Sequence, residues 1–175
     1  PARIAVIDIG KTNAKVVIVD AATLSELALR KIPNVVQTDG PYPHFDIEAH
    51  WTFILASLTE LNREFSFDAI SITTHGASAA LVHQDGSLAL PVLDYEFSGP
   101  DTLTAEYNAV RSPFSETFSP RLPIGLNVGA QLFWQQRRFP QEFATARYIL
   151  PVPQYWALRL TGVAAGEVTS LGCHT

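Results

Sequence analysis

The chain has 175 residues, of which 47% are hydrophobic and 17% are charged, and its formal net charge is −5. This length suffices for one domain with its own core, and an acidic balance argues against nucleic acid or an anionic membrane as the main partner, because both attract basic surfaces. Cys173 is the only cysteine, so no intrachain disulfide can form and a reducing cytoplasm is the expected compartment. The sequence has no apolar run of 18 residues and no signal-peptide pattern, so neither a membrane span nor a secretory leader is predicted.

The first twenty residues predict a β-hairpin with an anion-binding turn. Two β-branched runs, at residues 4–7 and 16–19, flank the polar residues Gly10, Lys11, Thr12 and Asn13. Glycine lets a ligand approach the backbone, and the N–H groups of successive turn residues can converge on an anion. The turn is therefore a candidate phosphate cradle, to which Thr12 and Asn13 add side-chain donors and Lys15 adds a positive charge.

Asp8 ends the first predicted strand, next to this turn. A carboxylate beside phosphates commonly holds Mg²⁺ through water, and Asp8 is a candidate for that role. A P-loop is excluded, because Ala5 stands where it needs a glycine and because a strand, not a helix, follows the turn. An ordinary glycine-containing hairpin with a solvated aspartate is the alternative.

The next elements alternate between strand and helix. A third strand is predicted at residues 25–32, and an amphipathic helix with Asp46 as its N-cap is predicted at residues 47–64. A strand follows at residues 67–74, a shorter strand at 79–83, and an apolar extended piece at 88–93. A strand after a long helix implies a crossover connection, and hence a mixed sheet with a helix on its face.

From Gly99 onward the pattern becomes mostly helical. Helices are predicted at residues 102–111, 129–138 and 154–160, with one or two helical turns at 141–146 and an extended piece at 148–150. Residues 115–127 carry two prolines and are predicted to be irregular. No internal repeat or linker is present, so we expect residues 99–162 to be an insertion packed on the same domain.

Two polar segments are candidates for binding a polyol. His75 and Gly76 follow a strand, at the end where open α/β sheets place ligand contacts, and a neutral imidazole can both donate to and accept from a hydroxyl. A histidine hydrogen-bonded within the rim of the sheet is the alternative. In the second segment, a carboxylate at Asp94 can accept from sugar hydroxyls while the Tyr95 ring stacks on apolar C–H faces. Which of Asp94, Tyr95 and Glu96 faces a ligand is left open.

These motifs resemble those of one superfamily. The pattern Asp-x-Gly-x-Thr-x-x-Lys at residues 8–15, between two hydrophobic strands, is similar to the first phosphate motif of the actin/hexokinase/Hsp70 superfamily. The segment Ala130-Gln-Leu-Phe-Trp134 and the helix that ends in Leu160-Thr-Gly162 follow the order seen in FGGY carbohydrate kinases. In that family the first of these helices reads Lys-Leu-x-Trp, so Gln131 replaces the usual lysine.

The resemblance implies a ribonuclease-H-like (actin-like ATPase) α/β domain with a mixed central sheet, helices on its faces and a mostly helical insertion. It implies that residues 1–175 are the incomplete N-terminal sugar-binding domain of a sugar kinase, whose C-terminal nucleotide-binding domain is absent from this sequence. The sequence is thus expected to be a fragment of a protein more than twice as long.

The resemblance also implies a function: ATP-dependent phosphorylation of a hydroxyl of a ketose or related polyol, with ATP and Mg²⁺ as cofactors. The implied ligand contacts are the phosphates at Gly10, Lys11, Thr12, Asn13 and Lys15, hydrated Mg²⁺ at Asp8, and the sugar at His75, Gly76, Asp94 and Tyr95. The catalytic base is expected beyond Thr175, so the chain alone is expected to be inactive.

Other functions remain to be weighed against this one. A non-catalytic module that binds sugar or nucleotide with the same fold is the main alternative. A cell-division or chaperone-like member of the superfamily is disfavoured by the kinase-like order between Gln131 and Gly162. The residues from Thr169 onward are nearer to L-fuculose or L-rhamnulose kinases than to xylulose or glycerol kinases, and a homodimer is left open.

Overall fold

In the computed structural model of the protein, residues 2–168 are described and form two compact units. Unit 1 contains residues 2–36 and 46–75, and unit 2 contains residues 37–45 and 76–168. The predicted insertion at residues 99–162 stays a prediction. The final stretch compared with fuculose and rhamnulose kinases, from Thr169 to Thr175, lies outside the described residues.

The strands and helices follow the predicted order. The strands are β1 (Arg3–Ile9), β2 (Asn13–Asp20), β3 (Glu26–Pro33), β4 (Val36–Gln37), β5 (His44–Phe45), β6 (Ala69–Thr74), β7 (Ala79–Val82), β8 (Leu88–Leu90) and β9 (Tyr148–Pro151). The helices are α1 (Ile47–Phe65), α2 (Thr104–Val110), α3 (Phe114–Thr117), α4 (Val128–Arg138), α5 (Pro140–Thr145) and α6 (Val152–Thr161), and a 3₁₀ helix (Gly99–Leu103) precedes α2. No helix within residues 2–168 is long and apolar enough to cross a bilayer.

Unit 1 is built on a four-stranded mixed sheet in the order β3-β2-β1-β6. Strand β1 pairs antiparallel with β2 and parallel with β6, which confirms the predicted hairpin and the crossover. Side chains alternate along β1, so Ala5, Ile7 and Ile9 are buried in the core while Asp8 lies on the other face. The mixed sheet with a covering helix is the fold class that the resemblance implied.

Helix α1 is capped at its start and is joined to this sheet by ion pairs in its last turns. The Asp46 carboxylate accepts a hydrogen bond from the Ala49 N–H at 2.9 Å, which confirms the predicted N-cap. Near the other end, Arg30 of β3 donates to Glu60 at 2.7 Å and to Glu64 at 2.9 Å. The helix therefore holds one orientation over the strands that carry the predicted turn.

Unit 2 has a three-stranded antiparallel sheet in the order β8-β7-β9 and an aromatic core. The Trp134 ring of α4 meets the rings of Tyr42, Phe97 and Phe139 edge-on, with centroids 5.3–5.7 Å apart. Such edge-to-face contacts stabilise a core beyond the area that they bury. These rings and the side chains of Leu81, Leu90 and Leu93 form one hydrophobic cluster, which packs α4 into the core of unit 2.

Three local features differ from the sequence prediction. Of the extended piece expected at residues 88–93, only the part up to Leu90 forms a strand, because Pro91 has no N–H to donate to a ladder. The helix expected at residues 102–111 divides into a 3₁₀ turn and α2. The short helix α3 forms inside a stretch that was predicted to be irregular.

Candidate functional site

The turn between β1 and β2 is closed by its own backbone. The Gly10 N–H donates to the Asn13 carbonyl at 2.9 Å. Gly10 does not adopt a positive φ, and a Cβ built on it would meet only the Asn13 carbonyl oxygen, at 3.5 Å, which is ordinary contact. The folded turn therefore gives no reason of its own for a glycine at this position.

Asn34, just after β3, holds the turn from outside, a role that the sequence analysis missed. Its backbone N–H donates to the Thr12 carbonyl at 3.0 Å, and its side-chain Nδ2 donates to the Gly10 carbonyl at 2.8 Å. The side chain is 8% exposed, and its Oδ1 is buried without a hydrogen-bond partner. Asn34 thus fixes the carbonyl groups of the turn and takes up none of its N–H donors.

Asp8 and Lys15 face each other across the two strands. The register of β1 and β2 places them directly opposite, and Lys15 Nζ lies 2.9 Å from Asp8 Oδ2. The Asp8 side chain is 35% exposed and the Lys15 side chain 38%, so water screens the pair and its net contribution to stability is at most about 1 kcal/mol. The amine that was expected to face phosphates therefore lies on the predicted magnesium ligand in this structure.

The donor set at Asp8 fits a hydrated magnesium ion shared with a nucleotide. Residues 2–168 contain no group of three or more His, Cys, Asp or Glu side chains placed to hold a metal. Mg²⁺ usually keeps several waters and takes only one or two carboxylates in addition to substrate phosphates. Only Oδ2 of Asp8 is engaged among the described residues, so Oδ1 is free to accept from a coordinated water.

His75 reaches the same edge of the unit 1 sheet. Strand β6 runs parallel to β1, and beyond the last register pair, Ile9 with Thr74, the His75 N–H donates to the Ile9 carbonyl at 2.9 Å. The carboxyl ends of parallel strands are where open sheets bind ligands. The structure thus brings His75 and the Gly10 turn to one edge, as neighbours at the ends of adjacent strands.

Asp94 and Tyr95 lie in unit 2, on the segment after Pro91. Asp94 is 7% exposed, and its Oδ1 accepts from the Glu96 N–H at 3.2 Å, in the manner of an Asx turn. Its own N–H donates to the Pro43 carbonyl at 2.9 Å. The Asp94 carboxylate is therefore oriented by its own turn, while Tyr95 is half-buried and Glu96 is exposed.

Gln131 connects the two polar segments of unit 2, and this link was also missed. Its Nε2 donates to the Ala77 carbonyl at 2.7 Å, one residue after Gly76, and also to the Gly125 carbonyl. The Gly125 N–H donates in turn to the Tyr95 carbonyl at 2.9 Å. A Cβ on Gly125 would lie 3.0 Å from both Cα and O of Tyr95, so a larger residue here would push the Tyr95 backbone away.

The chain was then compared with known proteins. Neither a protein-family model nor a curated protein matches it. Among solved structures, it is similar to a carbohydrate kinase from Novosphingobium aromaticivorans, with 40% identity and a TM-score of 0.88 over 98% of this chain and 36% of that one. The chain thus spans about a third of the length of the structures that it matches.

More distant structures share the fold. A xylulose kinase from Rhodospirillum rubrum is 19% identical with a TM-score of 0.81, over 97% of this chain and 37% of that one. A glycerol kinase from Plasmodium falciparum, solved with ADP, is 14% identical with a TM-score of 0.73, over 91% and 34%. Sequence motifs, fold and the 40% identity to one carbohydrate kinase agree: the chain resembles the N-terminal part of the FGGY carbohydrate kinases and has the actin-like fold of that part.

Proposed function

We propose that this chain forms the acceptor-binding part of an ATP-dependent carbohydrate kinase, which transfers the γ-phosphoryl group of ATP to a hydroxyl of a ketose or related polyol. The observation that carries the proposal is the carboxyl edge of the unit 1 sheet. There Asp8, the Gly10 turn and His75 end two adjacent parallel strands. The 40% identity to a carbohydrate kinase supports the same class of reaction.

The turn has the donors that a terminal phosphate needs. Phosphoryl transfer depends mainly on positioning and on offsetting the charge of the phosphates. The exposed Thr12 hydroxyl accepts a hydrogen bond from Asn13 Nδ2 at 3.0 Å, which leaves its own proton for an outside acceptor such as a phosphate oxygen. The backbone N–H groups of Lys11, Thr12 and Asn13 would complete the cradle, since that of Gly10 donates to the Asn13 carbonyl, and Asn34 holds the turn in shape.

The charged pair below the turn has two proposed tasks. Asp8 would hold hydrated Mg²⁺ through its free Oδ1, and the ion, when bound, would offset the charge of the phosphates. Lys15 is held at 2.9 Å from Oδ2, so its ammonium stays beside the turn and does not extend into solvent. Because the pair is a third exposed, Lys15 can turn from Asp8 to a phosphate at little cost.

The sugar would be held by His75, Gly76, Asp94 and Tyr95. The imidazole of His75 can donate to and accept from hydroxyl groups, and the Asp94 carboxylate is already oriented by its own turn. Tyr95 offers an aromatic face to the apolar side of a sugar ring, since its ring is only half-buried. L-Fuculose and L-rhamnulose are the acceptors that we propose to test first.

We also propose that the catalytic base and the main nucleotide-binding domain lie outside these 175 residues. The chain covers 36% of the carbohydrate kinase that it matches at 40% identity, which leaves room for both. A polypeptide of residues 1–175 is then expected to phosphorylate no sugar, even where it binds one.

The test uses the full-length protein that contains this chain. ADP release would be measured with L-fuculose, L-rhamnulose and D-xylulose, in the wild type, in Asp8→Asn and in Asp39→Asn, which changes an exposed aspartate of unit 2. The proposal expects sugar-dependent turnover whose kcat/KM for ATP Asp8→Asn lowers about 100-fold and Asp39→Asn retains. Binding of sugar and ATP without turnover would instead favour a non-catalytic module, and turnover unaffected by Asp8→Asn would refute the role of that carboxylate.

A further inference from the structure

A row of amide side chains runs along the buried face of α4. Gln131 and Gln135 are spaced four residues apart, so they lie on the same face of the helix, and Asn127 is the residue at its N-cap. Their exposed fractions are 0%, 2% and 2%. Buried amides must be hydrogen-bonded to offset their lost hydration, so the partners show what this row holds together.

Two of the three amides bond to residues that are not among those proposed to hold the sugar. Asn127 Oδ1 accepts from the Leu122 N–H at 2.7 Å, and its Nδ2 donates to the Pro120 carbonyl at 3.1 Å. Gln135 Nε2 donates to the Tyr42 hydroxyl at 2.8 Å, which in turn donates to a backbone carbonyl at 2.7 Å. These bonds shape the loop before α4 and fix a core tyrosine.

Gln131 differs because its partners belong to the segments proposed to hold the sugar. Its Nε2 donates at once to the carbonyl of Ala77, next to Gly76, and to that of Gly125, whose N–H donates to the Tyr95 carbonyl. One amide group thereby sets the distance between residues 76–78 and the loop that carries Tyr95. No charge is introduced, since both acceptors are neutral carbonyls.

We propose that Gln131 is a positioning residue for the acceptor sugar, which acts by holding Gly76 and Tyr95 at the separation that the sugar requires. This inference rests on the proposed function. Gln131→Leu keeps the bulk of the side chain but removes both donors, so the two segments lose their common anchor. The affinity for the sugar should fall, while ATP, which Gln131 does not position, should bind as before.

The kinetic experiment separates positioning from stability. In the full-length protein, at a temperature where every variant is folded, Gln131→Leu should raise the KM for the sugar about tenfold or more, with the KM for ATP within about twofold of wild type. Gln136→Leu makes the same chemical change on the exposed face of α4 and should change neither value. Gln131→Lys restores donors at the same place and should recover most of the sugar affinity.

Gln135→Leu is the matched buried control. It removes an equally buried amide from the same face, so a merely structural role for the row would give it the same effect on the sugar KM as Gln131→Leu. Equal effects of these two variants would overturn the inference, and so would an unchanged sugar KM in Gln131→Leu. If Gln131→Leu does not fold, Gly125→Ala is the substitute, because it disturbs the contact between Gly125 and the Tyr95 backbone. This variant should raise the KM for the sugar and leave the KM for ATP unchanged.

Amide hydrogen exchange decides the positioning claim independently of catalysis. In Gln131→Leu, the amides of residues 77–78 and 95–97 should exchange about tenfold faster than in wild type, whereas those of β1 and β2 should not change. Unchanged exchange at both segments would refute the anchor even in an active kinase. A wild-type protein that binds and phosphorylates no sugar would refute the proposed function and, with it, the role of Gln131 toward a sugar, whatever the exchange data show.

Discussion

A substitution at Gly10 can distinguish a requirement of the fold from a requirement of phosphate binding. Gly10 has a φ outside the left-handed region, and an added Cβ would only touch the Asn13 carbonyl oxygen at 3.5 Å. At a compatible position, Gly→Ala stabilises a protein by about 0.4–1 kcal/mol, because the unfolded chain loses conformational freedom. For a chain of this size that corresponds to a rise in Tm of about 1–4 °C. We therefore expect Gly10→Ala to fold at least as stably as the wild type.

Binding of Mg·ATP should respond in the opposite direction. A phosphate that packs against the backbone of the turn would meet the new methyl group, and the loss of close approach should weaken binding about tenfold or more, or ~1.4 kcal/mol. Isothermal titration of ATP with Mg²⁺ into the full-length protein measures this loss, beside thermal unfolding of the same samples. An unchanged ATP affinity in a folded Gly10→Ala variant would show that phosphates do not contact this turn.

Gly162 provides the matched control. It ends α6 with a φ of 75°, a conformation that costs an alanine about 1–2 kcal/mol. Gly162→Ala should therefore lower the Tm by several degrees and leave the ATP affinity at its wild-type value. If both variants lost stability to the same extent, the backbone conformation assigned to the Gly10 turn would be wrong.

The remaining predictions concern charge, pH and packing. Asp8→Asn and Lys15→Met should each change the free energy of unfolding by less than about 1 kcal/mol, because their ion pair is a third exposed. Each should nevertheless lower kcat/KM for ATP about 100-fold. A loss of stability with unchanged kcat/KM would contradict the proposed role of these two residues at the phosphates. Burial lowers the pKa of His50, although Asp46 opposes the shift, so the unfolded chain takes up this proton first. Stability is then full above a pH of about 6.5 and falls as the pH drops from there toward the folded-state pKa, and His50→Gln should reduce the difference in Tm between about pH 7.5 and pH 5.5. Trp134→Ala should cost about 3–5 kcal/mol in urea unfolding, and a cost under 1 kcal/mol would show that its aromatic cluster does not hold unit 2 together.

The fold of unit 1 could be predicted because its signals are local. The β-branched runs around the Gly10 turn alternate at the period of a strand, and the apolar residues of α1 recur at the period of a helix behind a good N-cap at Asp46. In α4 an apolar side chain is a poorer guide to the core, because the structure buries Trp134 and leaves Leu132 only partly covered. Buried glutamines on that helix break the apolar periodicity on which such predictions depend.

The supports of the candidate site lie beyond what sequence reasoning can reach. Asn34 bonds to a residue 24 positions away, and Gln131 bonds to one 54 positions away. Asn34 stands in no motif and is read from the sequence as an ordinary residue after a strand. Gln131 lies in a family segment, but there it shows only a replacement for lysine and no partner. Only the tertiary fold shows that each donates to the backbone of a predicted ligand segment.

Asn34 and Gln131 both act through a neutral side-chain amide, and this chemistry bears on the proposed function. Asn34 and Gln131 give N–H donors to main-chain carbonyls, so they fix a loop by its acceptors and leave its N–H groups to other partners. A lysine or arginine in place of Asn34 would add a charge below the turn, and a carboxylate would compete for the N–H groups that an anion needs. The neutral Asn34 side chain fixes the Gly10 carbonyl and its backbone N–H fixes the Thr12 carbonyl, so the turn is held in shape before any phosphate binds. Loss of Asn34 should therefore weaken the binding of Mg·ATP more than that of the sugar, which is the reverse of the pattern expected for Gln131.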